Sequence, residues 1–315
     1  MTKISKKSKI YIAGHNGMVG SACLRLLKKE GYSNLIFSSS KELDLTKQED
    51  VNSFFEIKKP EVIIDAAAKV GGIWANNEYP FEFIMENMLI QNNLISMSLK
   101  YNVKKFIFLG SSCIYPKMAN QPINENYLLS GKLEETNQWY AIAKISGVML
   151  IEAARKQYDK DYVSLMPTNL YGPGDNYDLK TSHVIPAMIR KFHEAKINSN
   201  DVTLWGTGSP MREFLHVDDL ANAVLFCLNN KLEDSIYNIG SGEELSIREL
   251  ANLISKITDF KGKIKWDQSK PDGTPRKLLD STRIKEKGFK TLINLEEGIK
   301  ETYLNKYYET TFRLR

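Results

Sequence analysis

Apolar residues in the first half of the chain gather in short, nearly unbroken runs set between longer segments of mixed polarity. The runs Ile10-Tyr11-Ile12-Ala13, Leu35-Ile36-Phe37, Val62-Ile63-Ile64, Phe106-Ile107-Phe108-Leu109 and Val163-Ser164-Leu165-Met166 predict strands buried on both faces, as in a parallel sheet. Between them apolar positions recur at helical spacing: through 21–27, at Phe83, Ile84, Leu89, Ile90, Leu94 and Ile95 within 81–100, and from Trp139 to Glu152. This alternation predicts an α/β fold with a doubly wound parallel sheet of Rossmann type, and ligands at the carboxyl ends of its strands.

Beyond about residue 168 the alternation stops, and Gly, Pro, Asn and Asp punctuate the chain. The pattern predicts a helix opening at Ser182-His183-Val184-Ile185-Pro186 and running to about Ala195, then a turn at Leu204-Trp205-Gly206-Thr207-Gly208. Phe214-Leu215-His216-Val217 leads into an apolar helix capped by Asp218-Asp219. Ile236-Tyr237-Asn238-Ile239-Gly240 reads as a last strand returning to the sheet, 245–257 as a helix, and Pro271-Asp272-Gly273-Thr274-Pro275-Arg276-Lys277 as a loop. The expected division is a cofactor-holding domain over 1–168, joined by segments returning at about 214–240, and a smaller mixed α/β substrate-binding domain from 169–213 and 241–315.

Composition narrows what such a protein binds. The 315 residues, 42% hydrophobic and 26% charged, are those of an ordinary globular protein. The net charge of +5 is dispersed, except for a knot at Lys3, Lys6, Lys7 and Lys9 that lacks interleaved aromatic residues to stack bases. A nucleic-acid partner is therefore not expected, whereas a phosphorylated ligand suits the charge. Cys23, Cys113 and Cys227 are too few and too scattered for a disulfide framework or a metal cluster, so the expectation is no metal and a reducing, cytoplasmic location. The apolar start at Ile10 runs straight into a glycine loop, so no secretory leader is expected. With no apolar run approaching the roughly 20 residues of a membrane span, no membrane partner is expected either.

The candidate chemistry lies at strand ends. Gly14-His15-Asn16-Gly17-Met18-Val19-Gly20 follows the first strand and opens a helix, which sets backbone N–H groups and a helix N-terminus against a pyrophosphate. An acid at the end of the second strand would hold the ribose 2′-hydroxyl of NAD; Ser38-Ser39-Ser40-Lys41 point to NADP instead. Asp44 is placed to touch adenine or, equally well, to serve as a turn or cap aspartate. The fourth run delivers Gly110-Ser111-Ser112-Cys113-Ile114-Tyr115-Pro116, two hydroxyls and a thiol, to the sheet edge. Tyr140 and Lys144, four apart, share one helix face, a pairing that packing alone also produces.

In that order behind the glycine loop, Ser111, Tyr140 and Lys144 resemble the catalytic set of the extended short-chain dehydrogenase/reductase family. A phenol with an ordinary pKa of about 10 is a poor acid–base group at neutral pH, and a neighbouring ammonium lowers it. The stretches Ala66-Ala67-Ala68-Lys69-Val70-Gly71-Gly72, Pro167-Thr168-Asn169-Leu170-Tyr171-Gly172-Pro173, Ser182-His183-Val184-Ile185-Pro186 and Pro210-Met211-Arg212-Glu213-Phe214-Leu215-His216-Val217-Asp218-Asp219 carry the resemblance nearly end to end. They narrow it to the branch that epimerises a GDP-4-keto-6-deoxy sugar at C3 and C5 and reduces C4.

The resemblance implies Cys113 as base and His183 as acid, with ordinary pKa values of about 8.5 and 6.5 that bracket neutrality. It implies Tyr140 as proton donor to the C4 oxygen, Ser111 as its holder, and Lys144 as tuning Tyr140 and reaching the nicotinamide ribose. Cofactor binding is implied for Gly14, His15, Asn16, Gly17, Met18, Val19 and Gly20, for Ser38, Lys41 and Asp44, and for Leu109, Gly110 and Ser112. Pro167, Asn169, Leu170, Lys144 and His183 complete that set. For the substrate, Lys191 and Arg212 are implied at the pyrophosphate, Trp205 near the sugar or guanosine, and Asp272 at the nucleotide end. A homodimer is implied, for which the helices at 81–100 and 140–155 are suited. One departure stands out: the family's arginines in the glycine loop and after the second strand are replaced by Asn16 and Ser38. NADP is expected, with NAD as the alternative because arginine is the stronger phosphate ligand. A related GDP-4-keto sugar of colitose or heptose type is the alternative substrate.

Overall fold

The computed structural model describes residues 4–308 apart from Pro271. The order of elements is β1 (Ile10–Ala13), α1 (Met18–Lys29), β2 (Leu35–Ile36), α2 (Gln48–Lys58), β3 (Val62–Asp65), α3 (Ile73–Glu78), α4 (Pro80–Lys100), β4 (Lys105–Leu109), α5 (Gln138–Tyr158), β5 (Asp161–Pro167) and β6 (Asn169–Tyr171). There follow α6 (Val184–Asn198), β7 (Val202–Trp205), β8 (Met211–His216), α7 (Val217–Asn229), β9 (Ile236–Ile239), β10 (Glu244–Ser246), α8 (Ile247–Thr258), β11 (Ile264–Asp267), β12 (Arg276–Lys277), α9 (Thr282–Glu286) and α10 (Leu295–Tyr308).

Six parallel strands form the central sheet in the order β2-β1-β3-β4-β5-β9. The apolar runs explain it, because β1, β3 and β4 are buried at every position. Alternation of side chains across the sheet sorts them to two faces. Ile10, Ile12, Ile64, Ile107 and Val163 pack with Ala22 and Cys23 of α1 and Leu220 and Val224 of α7. Tyr11, Ile63, Phe106, Phe108 and Tyr162 pack with Phe55 of α2, Leu94 of α4 and Val148 of α5 on the other. A third cluster lies apart, where Ile189 and Phe192 of α6, Leu204, Phe214, and Leu250 and Ile254 of α8 meet. There β8 pairs with β10, β12 and β6, and β7 pairs with β11.

Several boundaries differ from the sequence pattern. Leu204 and Trp205 are not turn residues: they end β7, in register with Trp266 and Asp267 of β11, and the turn begins at Gly206 with φ of 73°. Asp218 and Asp219 do not cap α7; His216 does, its Nδ1 accepting from the Asp218 N–H at 3.2 Å. Asp219 instead receives the N–H groups of Leu292 and Ile293 at 2.9 and 3.0 Å. Leu245 belongs to β10, not to a helix. Arg276 and Lys277, expected in a loop, pair with Met211 and Arg212 of β8. For Leu204, Trp205, Leu245, Arg276 and Lys277 the missing information is a strand partner far away in sequence, which local periodicity does not carry.

Candidate active site

A cavity of about 830 Å³ opens along the carboxyl ends of β1, β3, β4 and β5. At its floor the chain leaves β1 through Gly14, whose φ is +74° and where a Cβ would lie 2.6 Å from the Ala66 carbonyl oxygen. A Cβ at Gly20 would meet the Gly14 carbonyl oxygen at 2.2 Å, so only glycines let this turn fold back on β3. Gly17 is the N-cap of α1 and offers no side-chain acceptor, which leaves the first-turn N–H groups of the helix without a cap.

Of the residues singled out from sequence, Gly14, His15, Asn16, Gly17, Met18 and Val19 line the cavity, as do Ser38 and Asp44. Gly20 lies behind that lining, packed on Gly14. Lys41 is exposed and is not part of the wall. Asp44 is engaged locally, its Oδ1 accepting from Thr46 N and Oγ1 at 3.0 and 2.6 Å. Leu109, Gly110, Ser111, Ser112, Cys113, Tyr140, Lys144, Pro167, Asn169, Leu170 and His183 all face the same space.

Three elements deliver the reactive groups, one of them the start of α6, where His183 is the N-cap. After β4 the chain enters a short 3₁₀ turn, Ser112–Ile114, in which Ser111 Oγ accepts the Cys113 N–H at 3.3 Å. Helix α5 carries Tyr140 and Lys144 one turn apart, and Lys144 Nζ donates to the Leu109 carbonyl at 2.9 Å. That ammonium lies 4.8 Å from the centre of the Phe108 ring and 5.8 Å from that of Tyr140.

The electrostatics depart from the expectation that the ammonium lowers the phenol. Burial pushes the Tyr140 hydroxyl up, and the Cys113 and Asp65 groups push it in the same direction. Burial also pulls Lys144 down, opposed by Asp65 and then Cys113. The thiol and the imidazole do not bracket neutrality at their ordinary values either. Burial raises Cys113, with the Lys277 charge acting against it, while burial and Lys277 together lower His183. Desolvation favours the neutral form of each, so the resting pair is a thiol and an uncharged imidazole.

The candidate substrate residues lie outside the cavity wall, around β7, β8 and β12. Lys191 Nζ donates to the Thr203 carbonyl at 3.2 Å, and Arg212 to the Met211 carbonyl at 2.7 Å. Trp205 is 64% exposed, with Lys270 Nζ 5.8 Å from its ring. The Asp272 carboxylate accepts from Thr207 N and Oγ1 at 2.7 and 2.8 Å, which closes the turn after β7. These residues connect to the cavity through Lys277, which lines its wall and is in register with Arg212.

Three residues escaped the sequence reading. Lys277 supplies the charge that acts on both Cys113 and His183. Asp65, at the end of β3, is 1% exposed and is pushed up to about 6 by burial. Asp175 lines the cavity, is pushed up to about 7 by burial, and has an Oδ2 without a partner. A hydrophilic residue at the end of an apolar run was the available signal for Asp65. Nothing local marked the other two. Among the described residues, no three His, Cys, Asp or Glu side chains gather to hold a metal ion, and no helix is long and apolar enough to cross a membrane.

Residues 10–240 match the model of the NAD dependent epimerase/dehydratase family. The chain belongs to this family. Within it, the chain is 54% identical to GDP-L-fucose synthase 1 of Arabidopsis thaliana, over 95% of this chain and 93% of that protein. Identity to the GDP-L-fucose synthase of Escherichia coli K12 is 50%, over 94% of this chain and 96% of the other. A solved GDP-mannoheptose C4 reductase from Campylobacter jejuni, with NADP bound, superposes with a TM-score of 0.89 at 36% identity, covering 98% of this chain and all of that one.

Proposed function

We propose that this member of the family converts GDP-4-keto-6-deoxy-D-mannose to GDP-L-fucose, by epimerisation at C3 and C5 and NADPH-dependent reduction of the C4 ketone. The observation that carries the reading is the convergence of Cys113 and His183 on the same cavity as Ser111, Tyr140 and Lys144. A reductase alone needs only the last three. The names of the relatives at 54% and 50% identity agree with it.

The residues present fit a dinucleotide. The bare glycine turn and the uncapped start of α1 offer N–H groups to a pyrophosphate. Ser38 and Asp44 take the adenosine end, and Leu109, Gly110, Pro167, Asn169, Leu170 and His183 the nicotinamide end. When bound, NADPH supplies the hydride that C4 receives. The solved relative with NADP bound favours this cofactor over NAD despite Asn16 and Ser38. In this reading the half containing the six-stranded sheet holds the cofactor and the region around β7, β8 and β12 holds the GDP moiety, with Arg212 and Lys191 at the pyrophosphate, Trp205 against the sugar or guanosine and Asp272 at the nucleotide end.

The C3 and C5 protons of a 4-keto sugar are acidic because the carbanion is delocalised as an enolate. Moving one proton from Cys113 to His183 leaves the net charge of the site unchanged and creates both a thiolate base and an imidazolium acid. Lys277 favours the thiolate and opposes the imidazolium in that exchange. Ser111 then holds the C4 oxygen while Tyr140 gives it a proton, and Lys144 supplies positive charge beside the phenolate that remains.

Incubation with GDP-4-keto-6-deoxy-mannose and NADPH in deuterated water tests the proposal, read by cofactor oxidation and product NMR. GDP-L-fucose with deuterium at C3 and C5 is the expected outcome. Deuterium at C5 alone favours a colitose-type substrate, and the likeness to a heptose reductase makes a heptose analogue the next substrate to try. Comparing NADPH with NADH in the same assay tests the cofactor: a preference of about a hundredfold, ~2.7 kcal/mol, is expected, and equal efficiency overturns it.

The assembly in this reading is a homodimer through α4 and α5. Phe81, Met85 and Leu89 form an exposed stripe at four-residue intervals on α4, and Met149 and Leu150 are exposed on α5. Light scattering on the protein and on Leu89→Glu checks it: a dimer that becomes a monomer is expected.

A further inference from the structure

Asp65 ends β3 in register with Ala13 of β1 and Phe108 of β4, on the sheet face that α4 and α5 cover. Its Oδ1 takes the Ala67 N–H at 3.3 Å, and its Oδ2 has no partner. A buried carboxylate in that condition is costly, so something must offset its charge or remove it. The ionisable groups acting around it are Tyr11 from β1 and Tyr140 and Lys144 from α5. Across Phe108, α4 contributes the neutral Gln91, which is engaged with Ala143 and Ser146. Lys144, whose Nζ lies 4.8 Å from the ring of Phe108, the residue paired with Asp65, is the one cation acting on Asp65 among the described residues.

The two buried charges need each other. Lys144 Nζ has a carbonyl and two aromatic faces for company, none of which replaces its hydration shell. Cys113 also acts on it, but the proposed chemistry changes the charge of Cys113 within each turnover. Asp65 takes no part in that chemistry and keeps its charge throughout.

We propose that Asp65 is a positioning residue for the Tyr140–Lys144 pair, its carboxylate, with Oδ2 unpartnered, being the counter-charge of the buried lysine that rests on Phe108, the residue beside Asp65 in the sheet. The part of this that concerns turnover rests on the reductase reading; the electrostatic part does not. Removing Asp65 lowers the proton affinity of Lys144 and also that of Tyr140, so both act in one direction: the pair fails at lower pH. Because burial pushes Asp65 itself up to about 6, the carboxylate is charged at neutral pH and loses that charge as the pH falls through this value.

The test compares the unmutated protein with Asp65→Asn in two ways. First, the ligand-free proteins are labelled with ¹³Cε-lysine and titrated by NMR, the Lys144 signal being assigned from Lys144→Arg. Its midpoint is expected about one pH unit or more lower in Asp65→Asn, the effect of losing an opposite charge nearby. Second, the basic limb of kcat for ketone reduction is expected to move down by a similar amount. An unmoved lysine titration overturns the proposal, and a moved titration with an unmoved limb overturns its catalytic half. Absence of turnover in the unmutated protein strikes the functional reading alone, and the titration still decides about Asp65. Asp65→Leu, similar in volume and needing no partner, repeats the measurement if the asparagine variant does not fold. Failure of both to fold, by circular dichroism, makes Asp65 a structural residue and overturns the proposal.

Discussion

The sheet edge and the outer region around β7, β8 and β12 handle their polar groups in opposite ways. At the sheet edge Asp65 and Lys144 are 1% and 3% exposed, and each lacks a full set of partners for its charge. In the outer region Asp272 is tied to Thr207 and Trp205 stands open to solvent. Burial acts in both regions, pushing Asp65 up to about 6 and pulling Lys191 and Arg212 down, but the Asp272 carboxylate is held below its ordinary value by its bonds to Thr207. Under the proposed function the first changes protonation state, and the second presents shape and charge to a ligand. Lys277 bridges them, in register with Arg212 on one side and acting on Cys113 on the other.

The largest expected effect separates functions within the sheet-edge region itself. Cys113→Ser is expected to lower deuterium exchange at C3 and C5 by about 10²–10⁴, and Tyr140→Phe to lower NADPH oxidation by the same order while exchange persists. Joint loss of both reactions in both variants would break the division of labour. Next comes a stability effect at Asp175, whose folded-state pKa of about 7 lies above its ordinary value of 3.8. The folded state binds the extra proton, so stability is fully present below about pH 4 and falls as pH rises through 7. Asp175→Asn is expected to gain about 1–3 kcal/mol at pH 8, where the carboxylate is charged and unsatisfied, and nothing at pH 4. Urea midpoints at the two pH values check this.

Smaller effects are expected in the outer region. Arg212→Lys keeps the charge but loses the fork, and should raise KM about tenfold, ~1.4 kcal/mol, with kcat little changed. A fall in kcat of the same size would put Arg212 among the reacting groups and erase the contrast. Trp205→Ala should leave the thermal midpoint nearly untouched, a change within about 0.5 kcal/mol, because an exposed ring contributes little to the core. Any loss of affinity for the nucleotide sugar would then be read without a folding correction.

What the sequence made legible follows the same line. The strand, the glycine turn, α1 and the Tyr140–Lys144 pair are local patterns, and all of them appear where periodicity and spacing put them. Even so, the state of Tyr140 and Lys144 was not local, since burial acts against both and Asp65 comes from a different strand. Lys277 was hidden for a similar reason: a two-residue strand in a loop-like stretch finds β8 more than sixty residues earlier. Leu204 and Trp205 read as a turn until β11 supplied their partner. Residue types were visible at a distance; desolvation and strand pairing were not.

The bare start of α1 has a consequence for how long the protein lasts. A glycine cap in place of serine or aspartate gives up only ~0.3 kcal/mol, which a dinucleotide bound at those N–H groups would return. Under mass action, a ligand at a hundred times its Kd adds about 2.7 kcal/mol of stability. The intact population would thus follow the dinucleotide supply, with starved molecules opening first and reaching proteases sooner, so that abundance itself becomes a slow readout of the total dinucleotide pool.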